Sequence, residues 1–256
     1  MGKTKRFDSN DYIFNPNSKK GIYIIHGYSS STYEVKDLAK FLANHGYFTI
    51  AKNLPGHGTT VEDCNKVTYE DWLNHVEKDV AELSSKCNEI NIIGISMGSV
   101  LGLHLASLFP INTLVSAATV FKFKNEFNVR VLVPLLSWLV KKRTKSSQYK
   151  NAEQIEFTGY SEYPLKALNQ MRKLTNKVRQ SLKNVKCPTL LIHSKSDLTS
   201  IQENLYIVES EISSQIKEKF IAKNASHNLF CKSQEQLEIF KCILSFINTK
   251  TKKYEI

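Results

Sequence analysis

Cysteine is too sparse and too scattered in this chain to build a framework. The five cysteines (Cys64, Cys87, Cys187, Cys231, Cys242) are odd in number, with no C-x-x-C pair and no His/Cys cluster. That argues against a disulfide scaffold and a zinc site, and it fits free thiols in a reducing, cytoplasmic setting. No metal and no cofactor is expected. Long apolar runs are also missing. The most apolar stretch, Val131 to Val140, is too short to span a bilayer and contains Pro134. The N-terminal Lys and Arg are followed by no apolar segment, so no secretory signal is read there. Arg6 stands where a myristoylation pattern needs Ser or Thr. Acidic residues are in deficit: 24 Asp and Glu face 35 Lys and Arg, a formal net charge of +11. The basic runs (Lys3 to Arg6, Lys19-Lys20, Lys141-Lys142-Arg143, Lys250 to Lys253) are scattered. No nucleic-acid motif accompanies them, so they read as solvated surface. No nucleic-acid partner is expected, and a transient contact with an anionic membrane surface is left open. Repeats and low-complexity segments are absent.

What is present is an alternation of short apolar runs and amphipathic stretches over 256 residues, 41% of them hydrophobic. Gly21 to His26, Tyr47 to Ala51, Ile90 to Ile93, Thr113 to Ala118, Pro188 to His193 and Glu218 to Ala222 read as strands. Ser31 and Glu34 have capping-box spacing ahead of a helix on Val35, Leu38, Ala39 and Leu42. Thr68 caps a helix on Trp72, Leu73, Val76, Val80 and Leu83. Ser233 and Gln236 box a final helix whose face is Leu237, Phe240, Leu244 and Ile247. Phe7 to Asn17 reads as an edge strand or hairpin. Strands alternating with helices imply an α/β fold, a mostly parallel sheet with helices on both faces. The rhythm breaks between Phe121 and Lys183, which reads as a helical cap. The expected core is therefore residues 1–120 and 184–256, with 121–183 inserted.

The stretch Gly94-Ile95-Ser96-Met97-Gly98 lies between a strand and a helix. A serine held on such a turn presents its hydroxyl to open space, and the crowded turn needs glycine on either side. The N–H of Met97 opens the following helix, where unpaired donors favour negative charge. A serine hydroxyl is a weak nucleophile and needs a base, and the base needs a carboxylate to fix its tautomer. Asp197 and His227 follow two later strands, in the order Ser, acid, His. Glu203 is the rival acid, but it falls within a predicted helix. His193, inside an apolar strand, reads as a satisfied core residue, and His26 and His57 as loop-stabilising hydrogen bonders.

With His26-Gly27-Tyr28, Leu54-Pro55-Gly56-His57-Gly58, Gly94 to Gly98, Ser196-Asp197 and Ser226-His227 in place, the chain resembles the α/β-hydrolase superfamily from about Ile22 to Phe246. Within it, the bacterial carboxylesterases and monoacylglycerol lipases with a small cap are the most similar. The resemblance implies Ser96 as nucleophile, His227 as base and Asp197 as its orienter. It implies an oxyanion hole from the backbone N–H groups of Tyr28 and Met97, and no metal. The expected function is hydrolysis of carboxylic esters, such as monoacylglycerol, through an acyl-enzyme. An acyltransferase or thioesterase on the same triad, or a non-catalytic binding module, remain alternatives. The apolar run around Leu136, Trp138 and Leu139 is either cap packing or the wall of an acyl pocket, with Lys141 to Arg143 outside. Glu153 and Glu156 are either solvated or, for one of them, an acceptor for a glycerol hydroxyl. The cap is more basic than the resemblance leads one to expect.

Overall fold

The computed structural model of the protein describes residues 8–145 and 159–251. Apolar strands build its sheet. β2 (Lys20–Ile25), β4 (Glu89–Ile95), β5 (Thr113–Ala117) and β8 (Thr189–Ser194) are buried along nearly their whole length. Strands apolar at every position must be covered on both faces. Successive side chains point to opposite faces, so the strands feed two cores. Tyr23, Ile25, Ile92 and Leu114 enter one core, while Ile22, Ile24, Ile93 and Val115 enter the other. With β1 (Tyr12–Phe14), β3 (Phe48–Ala51) and β9 (Lys217–Ala222), the order among the described residues is β1-β3-β2-β4-β5-β8-β9. Only the edge strand β1 runs antiparallel, against β3.

Helices cover both faces. α3 (Tyr69–Ser84), α4 (Met97–Leu108) and α6 (Leu165–Arg179) close the first core, and α1 (Lys36–Ala43) and α8 (Gln236–Thr251) the second. α2 (Val61–Cys64) and α7 (Glu203–Glu211) complete the helices of the core. Thr68 caps α3 through a capping box closed by Asp71. The box expected at Ser31 and Glu34 does not form. A 3₁₀ turn covers Thr32–Glu34, α1 starts at Lys36, and Ser31 makes no capping side-chain bond. Glu34 instead turns inward. The buried face of α8 is also rotated from expectation: Ile239, Phe240, Ile243, Phe246 and Ile247 are buried, while Leu237 is 54% exposed.

Between β5 and β8 the chain leaves the sheet. It forms a π-helical turn over Asn128–Leu132, continues as α5 (Val133–Leu136), and then makes an antiparallel pair, β6 (Lys142–Thr144) with β7 (Glu162–Pro164). The expected all-helical insertion thus contains a β-ribbon. Its last helix also belongs with the core. α4 is buried from Met97 to Ala106 and needs partners on every side. Ala167, Met171, Leu174 and Val178 of α6 supply one of those sides.

Parallel strands deliver their carboxyl ends to one edge, where ligands of open α/β sheets bind. His26 follows β2, Ser96 follows β4, Asp197 follows β8 and His227 follows β9.

Candidate functional site

Ser96 sits between β4 and α4 at φ +56° and ψ −116°, a backbone conformation that costs free energy in a residue with a side chain. Close packing holds it there. A Cβ on Gly98 would meet the Ile25 carbonyl oxygen at 2.1 Å, and one on Gly94 the Gly98 carbonyl oxygen at 2.1 Å. The two glycines therefore let the helix start directly against strands β2 and β4, as the elbow spacing requires. The Ser96 N–H donates to Ala117 O at 2.9 Å, which ties the elbow to β5. Beneath it, the hydroxyls of Ser99, Ser116 and Thr119 bond one another at 2.6–2.7 Å. No sequence pattern singled out that buried hydroxyl cluster.

Asp197 and His227 meet from adjacent strand ends. His227 Nδ1 lies 2.7 Å from Asp197 Oδ2, and the Asp197 side chain is 1% exposed. Asp197 Oδ1 accepts the N–H groups of Thr199 at 2.7 Å and Ser200 at 2.9 Å. Burial alone would raise this carboxyl. The charge and hydrogen bond of His227, with the two amides, outweigh burial and hold it below its ordinary value. For His227, burial works to lower the pKa. Asp197, by charge and hydrogen bond, and the Glu34 charge reverse that, and the net direction is upward. Glu203, the rival acid, is exposed and pairs with Lys122 at 2.9 Å. His193 is buried as expected, its Nε2 4.0 Å from Asp197 Oδ2, but it is not satisfied: neither ring nitrogen has a hydrogen-bond partner among the described residues.

Met97 is the first residue of α4, so its N–H is one of those a helix leaves unpaired. The amides flanking Tyr28 are both committed. The Gly27 N–H donates to Glu34 Oε2 at 2.7 Å, and the Ser29 N–H to His57 Nε2 at 3.1 Å. In return, Leu54 N–H donates to His26 Nε2 at 3.1 Å, and the two imidazole centres lie 5.1 Å apart. These two histidines do act as loop hydrogen bonders. Burial pushes His26 down to about 3 and His57 down to about 4, which keeps both rings neutral and able to accept.

Ser96 and His227 line one cavity of about 380 Å³. Val120, Phe123, Val129, Val133, Leu168 and Met171 make its apolar wall, and Glu34, Arg143 and Lys145 its charged groups. Among the described residues, Ser96 Oγ has no hydrogen-bond partner, and such contacts in empty sites tighten on substrate binding. Leu136, Trp138 and Leu139, read as either cap packing or acyl-pocket wall, do not line this cavity. They are exposed by 44%, 67% and 61%. The π-helical turn before them adds a residue to the turn and carries Val129 and Val133 inward. Arg143, expected outside, lines the cavity. Glu156 and Glu153 lie outside the described residues. The described residues contain no cluster able to hold a metal ion, and no helix long and apolar enough to cross a membrane.

The profile of the hydrolase family described as serine aminopeptidase, S33 matches residues 16–234 of this sequence. The chain belongs to that family. It is 28% identical to the thermostable monoacylglycerol lipase of Bacillus sp. (strain H-257), over 82% of this chain and 84% of that protein. It is 27% identical to a carboxylesterase of Bacillus subtilis (strain 168), over 78% of this chain and 80% of that protein. Among solved structures, one of the metagenome-derived lipolytic enzymes LipS and LipT superposes with a TM-score of 0.85. Its identity is 23%, over 94% of this chain and 98% of that one. The monoacylglycerol lipase of Paleococcus ferrophilus superposes at 0.76, with 15% identity over 94% and 98% of the two chains. Both structural likenesses speak to the fold, which is that of an α/β-hydrolase.

Proposed function

We propose that this S33-family chain hydrolyses carboxylic esters through an acyl-enzyme on Ser96. The observation that carries the reading is the 2.7 Å contact of His227 Nδ1 with Asp197, in a cavity shared with Ser96. Its relatives named as a monoacylglycerol lipase and a carboxylesterase support the substrate class.

In this mechanism Ser96 Oγ bonds to the ester carbonyl carbon while His227 Nε2 takes the hydroxyl proton. The carbonyl π-pair moves to oxygen, where the Tyr28 and Met97 amides receive it, each such donor worth about 3 kcal/mol. The C–O bond to the alcohol then breaks, and the alcohol leaves with the proton from His227. Water repeats the sequence on the acyl-enzyme, releases the carboxylic acid and restores Ser96. Asp197 holds the Nδ1–H tautomer throughout. The apolar wall on Val129, Val133, Leu168 and Met171 suits an acyl chain, and monoacylglycerol is the proposed natural class. We place the cap at 121–164, narrower than the sequence boundary, with α6 counted in the core. The free cysteines support the cytoplasm as the compartment. The exposed apolar side of the cap supports a passing contact with lipid surfaces.

A fluorophosphonate probe should label the protein at Ser96, and Ser96→Ala should lose both labelling and hydrolysis of p-nitrophenyl and glycerol esters. Aminoacyl p-nitroanilides belong in the same panel. Their cleavage in preference to esters would replace the esterase reading with a peptidase.

A further inference from the structure

The cavity wall made by β6 is cationic, and strand geometry explains why. Alternation puts Lys142 and Thr144 on one side of this strand and Arg143 and Lys145 on the other. Lys142, on the outer side, pairs with Glu162 at 3.0 Å and Glu62 at 3.6 Å. Arg143 and Lys145 face the cavity that holds Ser96. Lys145 Nζ donates to Ser29 Oγ at 3.0 Å, one residue beyond the Tyr28 amide, and lies 5.1 Å from the centre of the Tyr163 ring. Burial pushes this ammonium down to about 8, so it remains charged near neutral pH. Arg143 makes no ion pair among the described residues. Glu34 is the one carboxylate on the cavity wall among those residues; its charge acts on Lys145, against two cations on that wall.

We propose that the β6 face of this cavity binds an anionic group, a carboxylate or a phosphate, carried by the ester substrate close to the scissile carbonyl. This deepens the ester-hydrolase reading and rests on it. A guanidinium at a cavity mouth offers a fork of donors that matches both anions, and an ammonium further in adds a point charge. A partly enclosed site screens such charges less than open solvent does. The apolar wall, on Val120, Phe123, Val129, Val133, Leu168 and Met171, takes no residue from β6. An acyl chain on that wall leaves the alcohol portion toward Arg143 and Lys145. The substrate class is then an acyl ester of an acidic alcohol.

Binding and turnover test this separately. Calorimetry on the Ser96→Ala protein should compare octyl phosphate, octanoate and 1-O-octylglycerol, all below their aggregation limits. At least one anion should bind about tenfold tighter than the neutral ether, the least that one charge-assisted contact gives. Whichever anion wins identifies the headgroup chemistry. The preference should shrink as salt is raised and vanish in Arg143→Gln/Lys145→Met. Should that pair fail to fold, Arg143→Gln alone, at an exposed position, should still narrow the preference. Equal affinity for all three ligands, or a preference indifferent to salt and to Arg143, overturns the anion site and leaves ester hydrolysis standing. Anion binding in a wild-type protein that hydrolyses no ester would overturn the esterase reading instead.

Discussion

Replacing Asp197 by asparagine tests the site with almost no change of shape. The outcome follows from which oxygen is held by what. Asp197 Oδ1 accepts two backbone N–H groups, from Thr199 and Ser200, at 2.7 and 2.9 Å. The new amide must keep its carbonyl oxygen there, because an NH₂ group facing two N–H donors would forfeit both bonds. The NH₂ then falls at the 2.7 Å contact with His227 Nδ1. That nitrogen is forced to accept, and its proton shifts to Nε2, the atom that must take the serine's proton. The wrong tautomer costs about 10⁴ in kcat in the best-studied triad, or roughly 5.5 kcal/mol of barrier. Steady-state hydrolysis of p-nitrophenyl butyrate, with a melting curve on each protein, reads this directly. Asp197→Asn should melt close to wild type. Asp197→Ala strands two amide donors and should also lose stability, by about 1–3 kcal/mol per stranded donor that is buried. A kcat for Asp197→Asn within about tenfold of wild type would falsify the tautomer argument. So would greater damage from Glu203→Gln, whose carboxylate only meets Lys122 at the surface.

The cap makes an opposed pair of expectations. Val133→Trp should shorten the preferred acyl chain, each methylene lost from the pocket lowering kcat/KM about fourfold, while Leu139→Trp leaves the profile alone; the reverse result refutes the assigned lining. Gly98→Ala should yield unstable or insoluble protein, since its methyl lands on the Ile25 carbonyl; a soluble, fully active variant would contradict the close packing of the elbow. For pH, burial lowers His26 to about 3 and His57 to about 4 from an ordinary 6.5. Their stabilisation is complete above that ordinary value and is lost as pH falls toward about 4, up to roughly 3 kcal/mol for His57. Melting temperatures should drop over that interval, and less so in His57→Asn. Activity should fail at higher pH than folding does, because His227 must be neutral and its pKa lies above the usual histidine value. A rate plateau extending well below the ordinary histidine range would contradict this.

The elbow and the proposed triad were legible because their constraints are local or positional. Glycines two positions either side of Ser96 need only a strand and a helix around them. Parallel strands bring Ser96, Asp197 and His227 to one edge, and the order Ser, acid, His is the one the resemblance implies. Glu34 was not legible: S-x-x-E spacing before a helix is a cap pattern, and only the 3₁₀ turn sends that carboxylate to Gly27. Arg143 was hidden in a basic triplet that reads as solvated, and no pattern singled out Lys145. Their direction depends on the pairing of β6 with β7, residues about twenty positions apart. Leu136, Trp138 and Leu139 failed for a related reason. A run broken only by Pro134 and Ser137 has too little periodicity to say which side faces in, and Ser137 is the residue that ends up buried.

The exchange between His26 and His57 links two stretches of chain in a way that single substitutions would conceal. Each ring accepts an amide from the other's segment, so the loop bearing the Tyr28 amide and the Leu54–Gly58 turn form a clasp. The two bonds bridge the same pair of segments, so they should weaken together. In a double-mutant cycle, altering the second histidine should therefore cost much less once the first is gone, a coupling of about 0.5–3 kcal/mol for contacting residues. The turn at Pro55 carries none of the proposed reacting groups, yet through this clasp it is a place from which the proposed oxyanion contact at Tyr28 would be loosened remotely.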